Sequence, residues 1–384
     1  MLFIPHKHLY ISGASYVSAD EPDYKEVITD ANSRRRMGRL LKMAVWCGLK
    51  SLDGVPSERV AGIITSTGAG FMKDTISFAS SIFDREETLL NPSPFMQSTF
   101  NTASGYIALI RKIHAYNTTY VQQADGFAAS LVDAAMLLDD AGEGNVALVG
   151  AFDEVTPEVD VIRQRLGLYR VGDGFLPLGE GAAAFLLSAA MPPDVSESCR
   201  ATESSTGPGG DDGSESDSGR GGDANSECST GLLRESESDS ERGGDEAGSE
   251  SASCPCDEAG SVFAYEHGGE SGSESSSDPL HEYGGTSSRL LNGTKDGNAA
   301  LRFCGLANLS DLSECAENPI AELFGINAGV NVISCADHVE SLGAFRSLLP
   351  VLLCKLISEQ KIPDGYTTIV DDVNEDGVIV LLHK

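Results

Sequence analysis

The chain has 384 residues, 41% of them hydrophobic, which is enough for one large domain or two modest ones with a real core. Its formal net charge of −31 excludes a nucleic-acid backbone as partner, because phosphates need a positive face. Much of that charge is local: residues 194–290 hold 23 Asp and Glu against five Arg and no Lys, a net of −18.

Read in chain order, residues 1–190 alternate strands and helices. His8–Gly13 is predicted as a short strand. Arg35–Cys47 is predicted as a helix with Met37, Leu40, Leu41, Ala44 and Val45 on one face. Val60–Thr65 is an apolar strand running into Ser66-Thr67-Gly68-Ala69-Gly70, and Met72–Phe83 is a helix. Ser104–Ala115 is a helix burying Ile107, Ile110 and Ile113. Thr118–Val121 (strand), Phe127–Leu138 (helix), Val146–Val149 (strand) and Gly181–Leu187 (strand) follow. Apolar strands without alternation imply a sheet covered on both faces, and their alternation with helices implies a layered α/β domain.

Residues 191–299 are dominated by Ser, Glu, Gly and Asp, and SESDSGRGGD at Ser214–Asp223 recurs as SESDSERGGD at Ser236–Asp245. Such a composition buries too little apolar area to offset chain ordering, so this stretch is expected to be a disordered acidic insertion. It reads either as a regulatory or partner-binding arm or as a repeat expansion tolerated in a surface loop. Residues 300–384 return to globular composition. They are predicted to hold a strand at Val330–Ser334, a long helix over Ser341–Ile357, and closing strands at Thr367–Val370 and Gly377–Leu382.

The nine cysteines suit reduced thiols rather than a disulfide framework. Cys254-Pro255-Cys256 lacks partners at zinc spacing, and the seven histidines show no ligand pattern, so no metal and no cofactor are expected. The N-terminus does not read as a signal peptide and no run approaches 18 apolar residues, so a cytoplasmic protein without a membrane span is expected.

Several segments in this order resemble the β-ketoacyl synthase branch of the thiolase-like fold. They are Tyr10-Ile11-Ser12-Gly13, Gly62–Gly70 (GIITSTGAG), Pro94–Ser98 with Asn101 and Gly105, Val146–Glu154 (VALVGAFDE) and, most strongly, Gly179–Leu187 (GEGAAAFLL). The resemblance covers 1–190 well and 300–384 weakly. It implies a layered α-β-α-β-α fold with a truncated second half. Asn117–Val121 followed by Phe127 and Ser130 is similar to a divergent subgroup that accompanies aryl-polyene or flexirubin-type biosynthesis, some of whose members resemble chain-length factors.

A condensing enzyme of this family needs a thiolate at a helix N-terminus, two histidines and backbone oxyanion donors. The nucleophile should fall at the elbow Gln123-Ala124-Asp125-Gly126, yet no Cys occurs between residues 48 and 198. Asp125 is expected to N-cap the following helix, and Ser130 to pack inside it. Gln122 and Gln123 are similar to the Gln that chain-length factors often carry there. His267 is read as unrelated to the family's first histidine. His338, in Cys335–Phe345, is either a vestige of the second or an ordinary loop residue, and Asn374-Glu375-Asp376-Gly377 stands where the glycine-rich oxyanion turn belongs. The resemblance therefore implies a ketosynthase-like subunit without condensing activity of its own. It would pair with an active ketosynthase as a heterodimer (or as a homodimer) across Thr118–Val121, and would shape an acyl tunnel or dock an acyl carrier protein. Two other readings stay open: a working acyltransferase using Asp125, Ser130 or a remote Cys, and a non-enzymatic interaction protein acting through its acidic arm.

Overall fold

A computed structural model describes residues 8–122, 125–191, 300–313 and 318–384, and the backbone of 288–290. The expected acidic insertion lies outside the described residues. Those described belong to one compact unit that draws on both sides of it.

The strands are β1 (Leu9–Val17), β2 (Val60–Ser66), β3 (Tyr116–Tyr120), β4 (Val146–Asp153), the two-residue β5 (Arg170–Val171) and β6 (Gly174–Phe175), β7 (Gly181–Ser188), β8 (Ser288–Leu290), β9 (Arg302–Asn308), β10 (Val330–Ser334), β11 (Tyr366–Val370) and β12 (Val378–His383). The helices are α1 (Ala31–Arg36), α2 (Arg39–Ser51), α3 (Met72–Asp84), α4 (Pro92–Gln97), α5 (Thr102–Arg111), α6 (Asp125–Ala141), α7 (Pro157–Leu166), α8 (Pro319–Leu323), α9 (Val339–Leu342) and α10 (Leu348–Ser358). Apart from the β5–β6 hairpin, the strands form one mixed sheet in the order β10-β11-β12-β9-β1-β7-β4-β2-β3, with β8 also on β1. The pairs β2–β3, β2–β4 and β10–β11 are parallel, and the others along the path are antiparallel.

Every residue of β4 and β7 is buried, as their unbroken apolar runs require of strands covered on both faces. On one face, Leu40, Leu41 and Val45 of α2 and Ile107 of α5 pack over Ile63, Leu148 and Leu186. On the other, Phe127 and Leu131 of α6 and Val351 and Leu352 of α10 share one core with Ile64, Val149, Ile369 and Val380. Strands from both halves of the sheet face the same two helices, so the sheet folds round them. At its far side Leu323 of α8 and the adjoining Phe324 cover Ala307, Val370 and Ile379. The order helix, sheet, helix, sheet, helix is the layered α-β-α-β-α fold. Phe127, Phe185 and Phe303 lock its centre, with ring centroids 5.5, 5.9 and 6.5 Å apart.

Four expectations need correction. The helix expected over Arg35–Cys47 is two helices, because Met37 and Gly38 are extended and Gly38 N–H is tied to Gln97 Oε1 at 3.0 Å. Ile110 is 40% exposed, whereas Ile107 and Ile113 are buried as expected. The helix expected over Ser341–Ile357 breaks into α9 and α10 at Gly343, whose φ of +75° leaves the helical region. The strand β9 and the short helices α7 and α8 were not expected; Pro at a first-turn position and an Asn or Thr cap mark the starts of both, as they do of α4.

Candidate functional site

The parallel strands β2, β3 and β4 end together, and α6 begins above them. Gly126 is packed on this rim: a Cβ there would lie 3.2 Å from Ser66 Cβ and 3.7 Å from Tyr120 O. Thr67 N–H donates to Tyr120 O at 3.0 Å, which holds the ends of β2 and β3 in register. Gln123 and Ala124 lie outside the described residues. Asp125 is partly buried in the first turn of α6, not at the cap position expected for it. Burial, and then the charge of Asp376, push its carboxyl above the usual range. The structure thus brings the elbow and the closing turn Asn374–Gly377 together, and both present carboxylates.

The rim is organised by Asp153, the last residue of β4, which is 4% exposed. Its Oδ1 accepts from Thr67 Oγ1 (3.0 Å), Gly68 N (2.9 Å) and Ala69 N (3.0 Å), and its Oδ2 from Ser347 Oγ (2.5 Å). Thr67 Oγ1 in turn accepts from Gly70 N at 2.8 Å. Burial raises the Asp153 carboxyl while these donors pull it down. Beside it, Asp371 accepts from the side chain and backbone N–H of Asn374 at 2.8 and 3.3 Å, and Tyr169 OH donates to Asn374 Oδ1 at 2.9 Å. Arg346 lies 5.9 Å from the Tyr169 ring centroid, with its stem against Gly68. Asp153, Tyr169, Arg346, Ser347, Asp371 and Asn374 were not among the expected site residues. Asp153 sits inside VALVGAFDE, and Arg346-Ser347 directly follows the Cys335–Phe345 segment, so position within the motifs was the available signal.

Burial drives the Asp371 carboxyl up from 3.8 to about 6. A raised acid favours the protonated form in the fold, so its contribution to stability is complete below pH 3.8 and is lost as pH rises through about 6. The stability of the native chain relative to Asp371→Asn is expected to fall by up to about 3 kcal/mol between pH 4 and pH 7. Urea denaturation across that range measures it, and a difference independent of pH would refute the assignment.

His338 is half-buried. Burial, then Lys355, push its imidazole below the ordinary range, with Lys361 and Glu359 also within reach. Lys355 and Glu359 belong to the C-terminal end of α10, whereas Ser347 at its start meets Asp153. Ser130 is buried and its hydroxyl donates back to Gly126 O at 2.7 Å, a bond that occupies it within the helix. Cys47, Cys335 and Cys354 are free but fully buried, and burial raises all three thiols. Among the described residues no group of three or more His, Cys, Asp or Glu side chains could hold a metal ion. No helix among them is long and apolar enough to cross a membrane. Chemically, the described part of the elbow offers carboxylates and small side chains rather than an acylatable thiol.

The family described as "Beta-ketoacyl synthase, N-terminal domain" matches residues 14–204. The chain is a divergent β-ketoacyl synthase-like protein. Its fold is that of "the ishigamide ketosynthase/chain length factor", with a TM-score of 0.52, 11% identity, and coverage of 98% of this chain and 99% of that one. A similar likeness (TM-score 0.53, 12% identity, 98% and 99% covered) links this synthase-like chain to a type II polyketide synthase acyl-carrier protein in complex with its ketosynthase bound to the hexaketide. At these identities the likeness is one of fold. No curated protein matches the sequence significantly.

Proposed function

We propose that this synthase-like chain is a subunit without condensing activity of its own, the chain-length-factor-type partner of an active ketosynthase in fatty-acid or polyketide biosynthesis of the aryl-polyene kind. One observation carries the reading: α6 opens with Asp125 and Gly126 where the family presents its thiol, and no cysteine occurs from residue 48 to residue 198. Between α2, α5 and the sheet, around Ala103, Ile107 and Gly150, the free space is about 10 Å³, room for at most one water. The purified chain, incubated alone with labelled malonyl- and acyl-carrier substrates, is expected to release no carbon dioxide and form no elongated product. Turnover by the lone chain would sink the proposal.

The partner is an active ketosynthase, met along β3, and the assembled pair acts on a substrate held by an acyl carrier protein. In support, β3 ends the sheet's strand order, and edge strands are ordinarily covered or charged. Tyr116 and Val121 are 45% and 41% exposed here, beside exposed Leu109 and Ile110 of α5 and Met136 of α6. The variant Tyr116→Lys/Val121→Lys, whose changes fall on exposed positions, is expected to keep the native melting temperature and lose co-purification with a co-expressed synthase. Sedimentation velocity decides: an undiminished complex means that β3 is not the contact.

A further inference from the structure

The other half of the sheet, away from the elbow, carries a second concave feature. A cavity of about 420 Å³ opens between the sheet and the segment that follows α8. Its walls include His8, Cys304, Phe324, Ile326, Tyr366 and Leu381. That volume lies within the range of small-molecule sites. It exists because α8 is only five residues long, and its cover of the C-terminal strands is confined to Ala307, Val370 and Ile379.

A row of polar side chains crosses four strands and ends on Tyr366 of the cavity wall. Tyr10 is opposite Arg302, Arg302 opposite His383, and His383 opposite Tyr366. The rings of Tyr366 and His383 meet edge to face at 4.6 Å. The Arg302 guanidinium lies over the Tyr10 ring at 5.9 Å and donates to Tyr10 OH at 3.4 Å. It also reaches the thiol of Cys304, which lines the cavity. Burial together with Arg302 and His383 push His8 below the usual imidazole range, as expected where three basic groups converge. Among the described residues no carboxylate pairs with Arg302, and its Nε has no acceptor.

We infer that this cavity is a binding site for a small aromatic carboxylate, its ring between Phe324 and Tyr366 and its carboxylate on the Arg302–His8 side. A planar carboxylate matches the guanidinium fork, and an aromatic body matches the aromatic walls. The site is independent of the function proposed above, since it shares no residue with the elbow.

Benzoate and its neutral isostere benzamide test the inference by calorimetry on the full chain. Saturable benzoate binding is expected, with benzamide at least tenfold weaker. Arg302→Gln should weaken benzoate at least tenfold. Ile326→Trp, which fills the cavity from its loop side, should abolish binding and serves as the deciding variant if Arg302→Gln does not fold. Benzoate should also slow iodoacetamide labelling of Cys304. No saturable benzoate binding, equal binding of benzamide, or binding that survives Ile326→Trp overturns the site.

Discussion

Asp153→Ala is expected to destabilise the fold by about 3–5 kcal/mol, the range for stripping an acceptor from a buried, fully hydrogen-bonded charge site. The substitution removes the acceptor of four donors at once: Thr67 Oγ1, Gly68 N, Ala69 N and Ser347 Oγ. Asp153 is 4% exposed, so water cannot replace the lost bonds without opening the core. The donors come from the turn after β2 and from the start of α10, so the loss would separate the two halves of the chain at the elbow. Asp153→Asn keeps one carbonyl for the Thr67–Ala69 donors and turns an amide on Ser347, whose hydroxyl can reverse and accept. It should cost about 1–2 kcal/mol, the scale of a single altered hydrogen bond. Chemical denaturation of the two variants checks the hub directly. Equal losses below about 1 kcal/mol would show that Asp153 does not organise the rim.

Gly343→Ala should be far more damaging than Gly365→Ala, which gives the scale. Both glycines have positive φ, +75° and +89°. At Gly365 a Cβ would meet nothing within 4 Å, so only backbone strain remains, about 1–2 kcal/mol. At Gly343 a Cβ would fall 2.2 Å from Gly179 N and 2.4 Å from Gly179 Cα. The reverse contact is as tight: a Cβ on Gly179 would lie 1.8 Å from Leu342 O. The two backbones are joined there by Ala344 N–H to Pro177 O at 2.7 Å and Gly179 N–H to Ala344 O at 3.3 Å. Since backbone cannot retreat as a side chain can, Gly343→Ala is expected to cost several kcal/mol beyond Gly365→Ala, on the order of 3 or more. Its soluble yield and denaturation midpoint should fall accordingly. A Gly343→Ala protein as stable as Gly365→Ala would mean that the 177–179 segment is free to move.

The apolar strands were legible because a strand buried on both faces has few alternatives: Val146–Val149 and Gly181–Leu187 stand inside β4 and β7. Their motif context was legible for the same reason. VALVGAFDE and GEGAAAFLL hold small residues where α2 and α10 press close to the sheet. The errors fell where local signals compete. Leu342 and Leu348 share a helical pattern that Gly343 interrupts, and the interruption is set by the backbone of Gly179, far away in sequence. Ile110 reads as core by spacing, yet α5 turns it outward beside the open edge of β3. Asp125 reads as a cap from its neighbours, but α6 begins two residues before the predicted start at Phe127.

The amino-acid order alone settled that the elbow could hold no thiol, because a missing residue type needs no coordinates. It also settled the layered α/β class, since period and apolarity are local properties of the chain. The folded chain decided everything that depends on distant partners. It set Asp376 near Asp125, drew four donors onto Asp153, and aligned Arg302, His383 and Tyr366 across neighbouring strands next to the segment that follows α8. Such meetings are fixed by strand register and by how layers close on one another, and neither is written in any short stretch of sequence.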